Sequence, residues 1–220
     1  MIQLFWLRTD LRIADNTALS QALSNGPTVA VYLITPQQWL AHDDAPCKVD
    51  FWLRNLACLR EQLGKLNIPL LIRNCADWQQ APVTLLQLSQ QIGAGAVHCN
   101  AEYGIHETRR DQACSSLLES QGIAFTAHFD QLLLKPGSVL TQSGNYFQVF
   151  SQFRKVCYQR LHRSLPACLP YPTAQAPLPI NSDELPAGVS GFAQPDAALQ
   201  QFWPAGEAAA QQRLQQFAEQ

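Results

Sequence analysis

Two stretches of the sequence gather the residue types that do chemistry. The first is FWLRTDLRIADN, residues 5–16, in which Phe5, Trp6 and Leu7 give way to Arg8, Asp10, Arg12, Asp15 and Asn16. A polar loop at the carboxyl end of a strand is where open parallel sheets bind their ligands. A phosphate held there needs glycines, so that backbone N–H groups approach the anion. Residues 8–16 contain none, and neither GxGxxG nor GxxxxGK[ST] occurs in the chain. IGAGAV, residues 92–97, precedes a strand rather than following one, the wrong order for a dinucleotide fingerprint. The favoured reading is a salt-bridged loop. In it Asp15 or Asn16 caps a helix beginning near Thr17, and the charges fix a second protein surface.

The second stretch is HCNAEYGIHETRRD, residues 98–111. His106-Glu107 does not open a zinc-protease motif, because HExxH requires histidine at 110, where Arg110 stands. Glu107 in a first helical turn has a structural explanation: the helix dipole and an i,i+3 contact to Arg110. It also has a functional one, since a carboxylate at a strand end accepts two parallel hydrogen bonds from an amino-pyrimidinone edge, as in pterins. His42, in QQWLAHDDAPCK, reads on its own as a surface residue. No spacing marks a catalytic triad, and the seven cysteines hold no CxxC pair or zinc-ligand spacing, so reduced, mostly buried thiols are expected.

The elements that position these stretches follow from periodicity. IQLFWL (2–7), TVAVYLI (28–34), IPLLIRN (68–74), AVHCNAE (96–102) and IAFTAHF (123–129) read as buried strands. Between them the spacing is helical, most clearly over 48–66, where Val49, Trp52, Leu53, Leu56, Leu59, Leu63 and Leu66 share one face. Gly26, Asn67, Gly95 and Gly122 are placed as C-terminal helix punctuation. Alternating strands and helices give a parallel sheet covered on both faces, a doubly wound α/β domain. The 47% hydrophobic composition supports such a core, and the net charge of −2 gives no global footprint for nucleic acid. Without a signal peptide or an apolar run of membrane length, a soluble cytoplasmic protein is expected.

After Phe129 the pattern changes. Residues 132–150 read as extended, with turns at Pro136-Gly137 and Ser143-Gly144-Asn145. A helix is expected over 149–163, with Phe150, Phe153, Val156, Cys157 and Leu161 inward. Its outer face carries Arg154, Lys155, Arg160, His162 and Arg163, ordinarily a solvated face and the one local candidate for phosphate contact. Residues 164–203 hold seven of the fourteen prolines and read as a long linker. Pro204, Glu207 and the following alanines start a last helix at 204–220, whose Leu214 and Phe217 have nothing after them to pack against. The chain thus reads as one domain (1–163), a linker and the first helix of a further domain.

Taken together, these stretches resemble the N-terminal domain of the DNA photolyase/cryptochrome family, in particular the bacterial class I cyclobutane pyrimidine dimer photolyases. LFWLRTDLRIADNTAL is similar to the family's opening signature W-[FL]-R-x-D-L-R-x-x-D-N, and VYLITPQQWLAH to its second strand and the loop after it. LLLKPGSVLTQSGNYFQVFSQFRKVCYQRL resembles its segment after the fifth strand, and WPAGEAAAQQRLQQF its first helix after the linker.

The resemblance implies a Rossmann-like five-stranded sheet of order 3-2-1-4-5 carrying a light-harvesting antenna chromophore, commonly methenyltetrahydrofolate. It implies a monomer whose FAD-binding helical domain, outside this chain, receives the UV-damaged DNA and splits the dimer by light-driven electron transfer. The family's folate-contacting Asn-Glu pair falls on His106 and Glu107, and His42 matches a folate-neighbouring histidine. Ser151-Gln152 stand where the family usually has Thr-Pro. No catalytic residue and no metal ligand carries over. The alternatives are a cryptochrome-type blue-light photoreceptor, which shares this domain, and a stand-alone α/β nucleotide-binding or interaction domain.

Overall fold

The computed structural model describes residues 1–219. Five parallel strands, β1 (Ile2–Leu7), β2 (Thr28–Ile34), β3 (Leu70–Asn74), β4 (Ala94–Asn100) and β5 (Ala124–His128), form one sheet of order β3-β2-β1-β4-β5. β1 is central, pairing Gln3 with Thr28 of β2 and Phe5 with His98 of β4. The chain moves from β1 out to β3, then back past β1 to β4, so the order reverses between β1 and β4.

Alternation along β1 sends its side chains to two cores. Phe5 and Leu7 join Ala30, Tyr32 and Leu70 beneath α1 (Thr17–Asn25) and α3 (Pro46–Lys65). Leu4 and Trp6 join Val29, Val31, Leu71 and Val97 beneath α4 (Ala81–Ile92) and α5 (Ile105–Ser120). The α3 stripe is as the spacing requires: Val49, Leu56, Leu59, Leu63 and Leu66 are buried, with Trp52 and Leu53 packed beside them. The loop expected after β2 contains a short helix instead, α2 (Pro36–Ala41), started by Pro36 and burying Trp39. Asn67 and Gly122 take the left-handed conformations that punctuation demands (φ 57° and 74°). Gly95, expected in that role, lies inside β4, and Gly93 (φ 68°) ends α4.

The segment after β5 departs furthest from expectation. α6 (Phe150–Arg163) forms where the spacing places it, but it buries no residue, and Phe150 and Phe153 are exposed rather than inward. Its amphipathic pattern has no partner surface among the described residues. The linker is not a free tether either. Gln175 Nε2 donates to the carbonyls of Thr28 and Asn67 (2.9 and 2.8 Å), while its Oε1 accepts from Thr28 N at 2.7 Å.

Farther on, the linker pairs with the open edge of β3. Leu70 N donates to Ser182 Oγ (3.0 Å), Asp183 N to Leu70 O (2.9 Å) and Ile72 N to Asp183 Oδ2 (2.8 Å). Leu178 and Ile180 pack on one core and Leu185, Val189 and Phe192 on the other, so the strap wraps around the sheet edge. This is how an unpaired strand edge is kept from associating with other chains. The strap also contains a helix that the proline-rich pattern hid, α7 (Ala197–Phe202), capped by Asp196. The last helix, α8 (Glu207–Ala218), begins three residues after Pro204 and buries no residue; Leu214 and Phe217 are 67% and 76% exposed.

The cysteines divide differently from the expected mostly buried set: all seven are free thiols, but only Cys75, Cys99 and Cys114 are buried. Burial pushes the Cys75 thiol up to about 11 and those of Cys99 and Cys114 to about 12. No helix among the described residues is long and apolar enough to cross a membrane.

Candidate functional site

The charged loop after β1 is built as a structural clasp. Asn16 caps α1, its Oδ1 accepting from Leu19 N at 3.1 Å. Asn100, the last residue of β4, accepts from Ala18 N through Oδ1 (2.9 Å) and donates through Nδ2 to Asp10 (2.6 Å) and Asn16 (2.9 Å). Asp130 accepts from Thr17 N at 2.9 Å and pairs with Arg12 at 2.5 Å. Three successive N–H groups of the α1 N-terminus are therefore already satisfied by side chains. In a nucleotide-binding sheet those groups would face a phosphate; here that position is filled from within. Asp15 is left-handed (φ 50°) and turns its carboxylate to Leu169 N at 2.7 Å.

Beneath the clasp lies a buried ion cluster. Arg8 Nη1 donates to both carboxylate oxygens of Asp111 at 2.7 Å, and Arg8 Nη2 donates to Asn100 O. Arg110 donates to Asp111 Oδ1 (3.0 and 2.8 Å) and to Glu102 Oε2 (2.8 Å). The expected Glu107–Arg110 contact is absent, because Arg110 turns inward to these two carboxylates. Its guanidinium lies between the rings of Trp6 and Trp78, 4.8 and 4.7 Å from their centres. Burial alone would push the Glu102 carboxyl up. Arg8 and Arg110, with hydrogen bonds from Arg110 and Thr9, outweigh it and hold the carboxyl below its usual range.

This cluster forms one wall of a cavity of about 150 Å³ beyond the carboxyl ends of β1 and β2, where such sheets bind ligands. Leu7, Arg8 and Thr9 line it from the end of β1; Tyr32, Leu33 and Thr35 line it from the end of β2. α2 supplies Trp39 and the residue that caps its C-terminus, His42; the loop before α3 supplies Asp44, and the first turns of α3 supply Lys48 and Trp52. Trp78, Glu102, Glu107 and Arg110 complete the wall. Trp39 and Trp52 stack in a tilted pair at 5.1 Å, and Lys48 Nζ sits 4.9 Å over Trp52.

Three carboxylates border the cavity, and two are committed. Asp44 pairs with Lys48 at 2.5 Å, and Glu102 is held by Arg110 and Thr9. Glu107 makes no ion pair or side-chain hydrogen bond among the described residues. Its carboxylate folds back over Gly104, the N-cap of α5, where a Cβ would overlap it. His42 receives a hydrogen bond on Nε2 from Gln38 Nε2 (2.7 Å), which leaves Nδ1 carrying the ring proton. A free carboxylate and a ring N–H thus meet at an aromatic-walled cavity. That donor and acceptor set fits a flat heteroaromatic ring with an amino-pyrimidinone edge, as in a folate.

Of the three residues singled out from sequence, His42 and Glu107 border this cavity. His106 does not. It lies outside, in a neighbouring depression with Gln38, Gln79 and Arg109, its ring 5.9 Å from that of His42. Sequence reasoning missed the four tryptophans, Glu102 and Arg110. Trp6 signals only core, and Trp39, Trp52 and Trp78 lie on three separate elements that converge only after folding.

Residues 3–173 match the family described as DNA photolyase. The deoxyribodipyrimidine photo-lyase of Vibrio cholerae is 43% identical over 155 residues, which cover 70% of this chain and 33% of that protein. The Salmonella typhimurium photo-lyase is 32% identical over 217 residues, covering 97% of this chain and 45% of that one. The chain therefore spans a third to just under half of these relatives. Among solved structures, a bacterial class III photolyase from Agrobacterium tumefaciens superposes with a TM-score of 0.78 at 25% identity, covering 99% of this chain and 44% of that one. With the expected strand order, a doubly wound α/β fold and a family match over most of its length, the chain belongs to the DNA photolyase family, as its N-terminal domain.

Proposed function

We propose that this domain is the antenna-bearing part of a deoxyribodipyrimidine photo-lyase, and that the cavity beyond β1 and β2 takes methenyltetrahydrofolate. The observation that carries the reading is the uncommitted Glu107 carboxylate at an aromatic-walled cavity whose other carboxylates are paired. Glu107 would accept from the pterin's amino and ring N–H groups, His42 would offer its Nδ1 proton, and Trp39, Trp52 and Trp78 would enclose the ring. His106, on the outer side of His42, would act by supporting that ring rather than by touching the pterin. The cavity is smaller than the roughly 300–1,000 Å³ of a typical ligand site. It would hold the pterin end and leave the rest of the folate outside. When bound, such a chromophore supplies near-ultraviolet absorption.

On this reading residues 1–163 are the antenna domain, 164–203 the strap to the next domain, and 204–220 the first helix of a helical domain. That helical domain would bind FAD and the UV-damaged DNA and carry out dimer splitting. The photo-lyase names of the relatives favour this over a cryptochrome-type signalling role. The test is equilibrium titration of the protein with methenyltetrahydrofolate, followed by the near-ultraviolet band. Saturable binding with quenching of tryptophan emission supports the reading. Absence of binding, in this chain and in a version extended to the length of the relatives, overturns it.

A further inference from the structure

Two hydroxyls on the β2 side of the antenna cavity make no hydrogen bond among the described residues. Tyr32, near the end of β2, and Thr35, the N-cap of α2, are 5% and 2% exposed. A threonine at an N-cap ordinarily accepts from an N–H two or three residues on. Thr35 does not, and Pro36 at the start of α2 has no N–H to offer. Among the described residues the buried side-chain atoms sealed from solvent without a partner are Arg8 Nε and Ser89 Oγ. The two unbonded hydroxyls are outside that set, so both reach open space, and the space that both residues line is the cavity.

A hydroxyl left bare in a buried wall opposes folding unless a bound group answers it. The surroundings decide what that group is. Burial, with Glu102, Asp44 and Asp10 near, pushes the Tyr32 phenol well up, so it keeps its proton. A phenol O–H and an alcohol O–H that both stay neutral suit a neutral acceptor, such as a ring carbonyl. Glu107 and His42 border the same cavity, one a free carboxylate and the other a ring N–H. A pterin that turns its amino group and ring N–H to a carboxylate has a ring carbonyl as the next group on that edge. It presents that carbonyl and a ring nitrogen as acceptors, more than the single His42 N–H can answer.

We propose that Tyr32 and Thr35 are specificity-determining residues of this cavity, their hydroxyls donating to the ring carbonyl of the bound chromophore. The inference rests on the folate reading above and adds to it the group that the β2 side recognises. Glu107 reads the donor half of the pyrimidinone edge, and the two hydroxyls read its acceptor.

Equilibrium dialysis of the 220-residue chain with pterin and with aminopteridine, the same bicycle without the ring carbonyl, tests this. In the Tyr32→Phe/Thr35→Val variant pterin binds about tenfold more weakly, the worth of two neutral hydrogen bonds, while aminopteridine changes by less than about twofold. A cavity that merely lost its shape would weaken both ligands alike. The thermal midpoint of the ligand-free variant equals or exceeds that of the wild type, because no internal hydrogen bond is lost. A clear drop in that midpoint would reveal an internal partner and overturn the proposal. Equal weakening of both ligands overturns it too. Pterin binding that falls in Glu107→Ala but not in the double variant overturns this assignment alone and leaves the folate reading standing. Failure of the wild-type chain to bind pterin strikes the folate reading itself, and this inference with it.

Discussion

Asn100 Oδ1 accepts the Ala18 N–H at 2.9 Å, tying the end of β4 to the first turn of α1. With Asn16 and Asp130 it satisfies the donors that a Rossmann-type sheet normally turns towards a phosphate. The charged loop is thereby a lock between elements, and the ligand cavity is displaced towards α2 and α3. The same loop also receives the far end of the chain: Glu207, in the first turn of α8, accepts from Ile13 N and Ala14 N at 3.1 Å.

Replacing Asn100 by Ala removes that lock. Ala18 N then loses its acceptor in a buried setting, while Asp10 loses the 2.6 Å donor but still accepts from Arg8 N at 3.0 Å. The orphaned N–H costs about 1–3 kcal/mol, and a loss of roughly that size is expected in urea unfolding. A change below about 1 kcal/mol would mean that water replaces the side chain and the clasp is dispensable.

The strap should be cut by protease at one end only. Residues 164–174 lack the docking that begins with Gln175 on Thr28 and Asn67 and continues at Ser182 and Asp183 on the β3 edge, and several are exposed. Limited proteolysis is therefore expected to cleave after α6 and to spare 175–192, which hydrogen-bond to β3 and enter both cores. First cleavage inside 175–192 would contradict the docking seen here.

Acid should weaken the fold in two stages. His98 Nε2 donates to Gln3 Oε1 (3.0 Å), which leaves His98 Nδ1 to accept from His128 Nε2 at 2.9 Å. Burial lowers both histidines below their ordinary 6.5; the neighbouring His128 lowers His98 further. The unfolded chain thus binds more protons, so this part of the stability is complete above about pH 6.5 and falls as the pH drops below it. Asp130 and Glu102 are held below their ordinary 3.8 and 4.5, and their contribution is lost at lower pH as they protonate. Denaturant midpoints measured from pH 8 to pH 4 should show the first decline, and His98→Gln should flatten it. An unchanged slope in that variant would assign the decline elsewhere.

The Gly104→Ala variant probes the cavity indirectly. A Cβ at 104 displaces the Glu107 carboxylate folded over it, whereas the backbone there, at φ −66°, accommodates alanine without strain. Folate affinity should fall by several-fold with little change in thermal midpoint. Unaltered affinity would mean that the carboxylate leaves Gly104 when ligand binds.

Much of the fold was legible because it follows from local rules. Five apolar runs separated by helical spacing specify a parallel sheet, and the α3 stripe from Val49 to Leu66 appears as written. The strap was not legible, since its proline-rich residues dock through single side chains, Gln175 on Thr28 and Asn67 and Ser182 and Asp183 on β3, that leave no period. α6 and α8 form on propensity and spacing, but an amphipathic pattern does not say whether a partner surface is present. At the site, Glu107 and His42 were reached through the family resemblance rather than through spacing. The tryptophan walls, and the capture of Arg110 by Asp111 and Glu102, depend on long-range convergence. His106 shows the limit of carrying a pair across by adjacency, since consecutive residues of a helix face different directions.

The account rests most directly on Glu107. Methenyltetrahydrofolate titrations of the wild type and of Glu107→Ala, in this chain and in an extended one, measure its part by the near-ultraviolet band. Loss of a charge-assisted pair of hydrogen bonds should cost about 1.5–3 kcal/mol, roughly a 10- to 150-fold rise in Kd, with Glu107→Gln in between. Equal affinity in wild type and Glu107→Ala would remove Glu107 from the site and contradict the assignment of this cavity to the pterin.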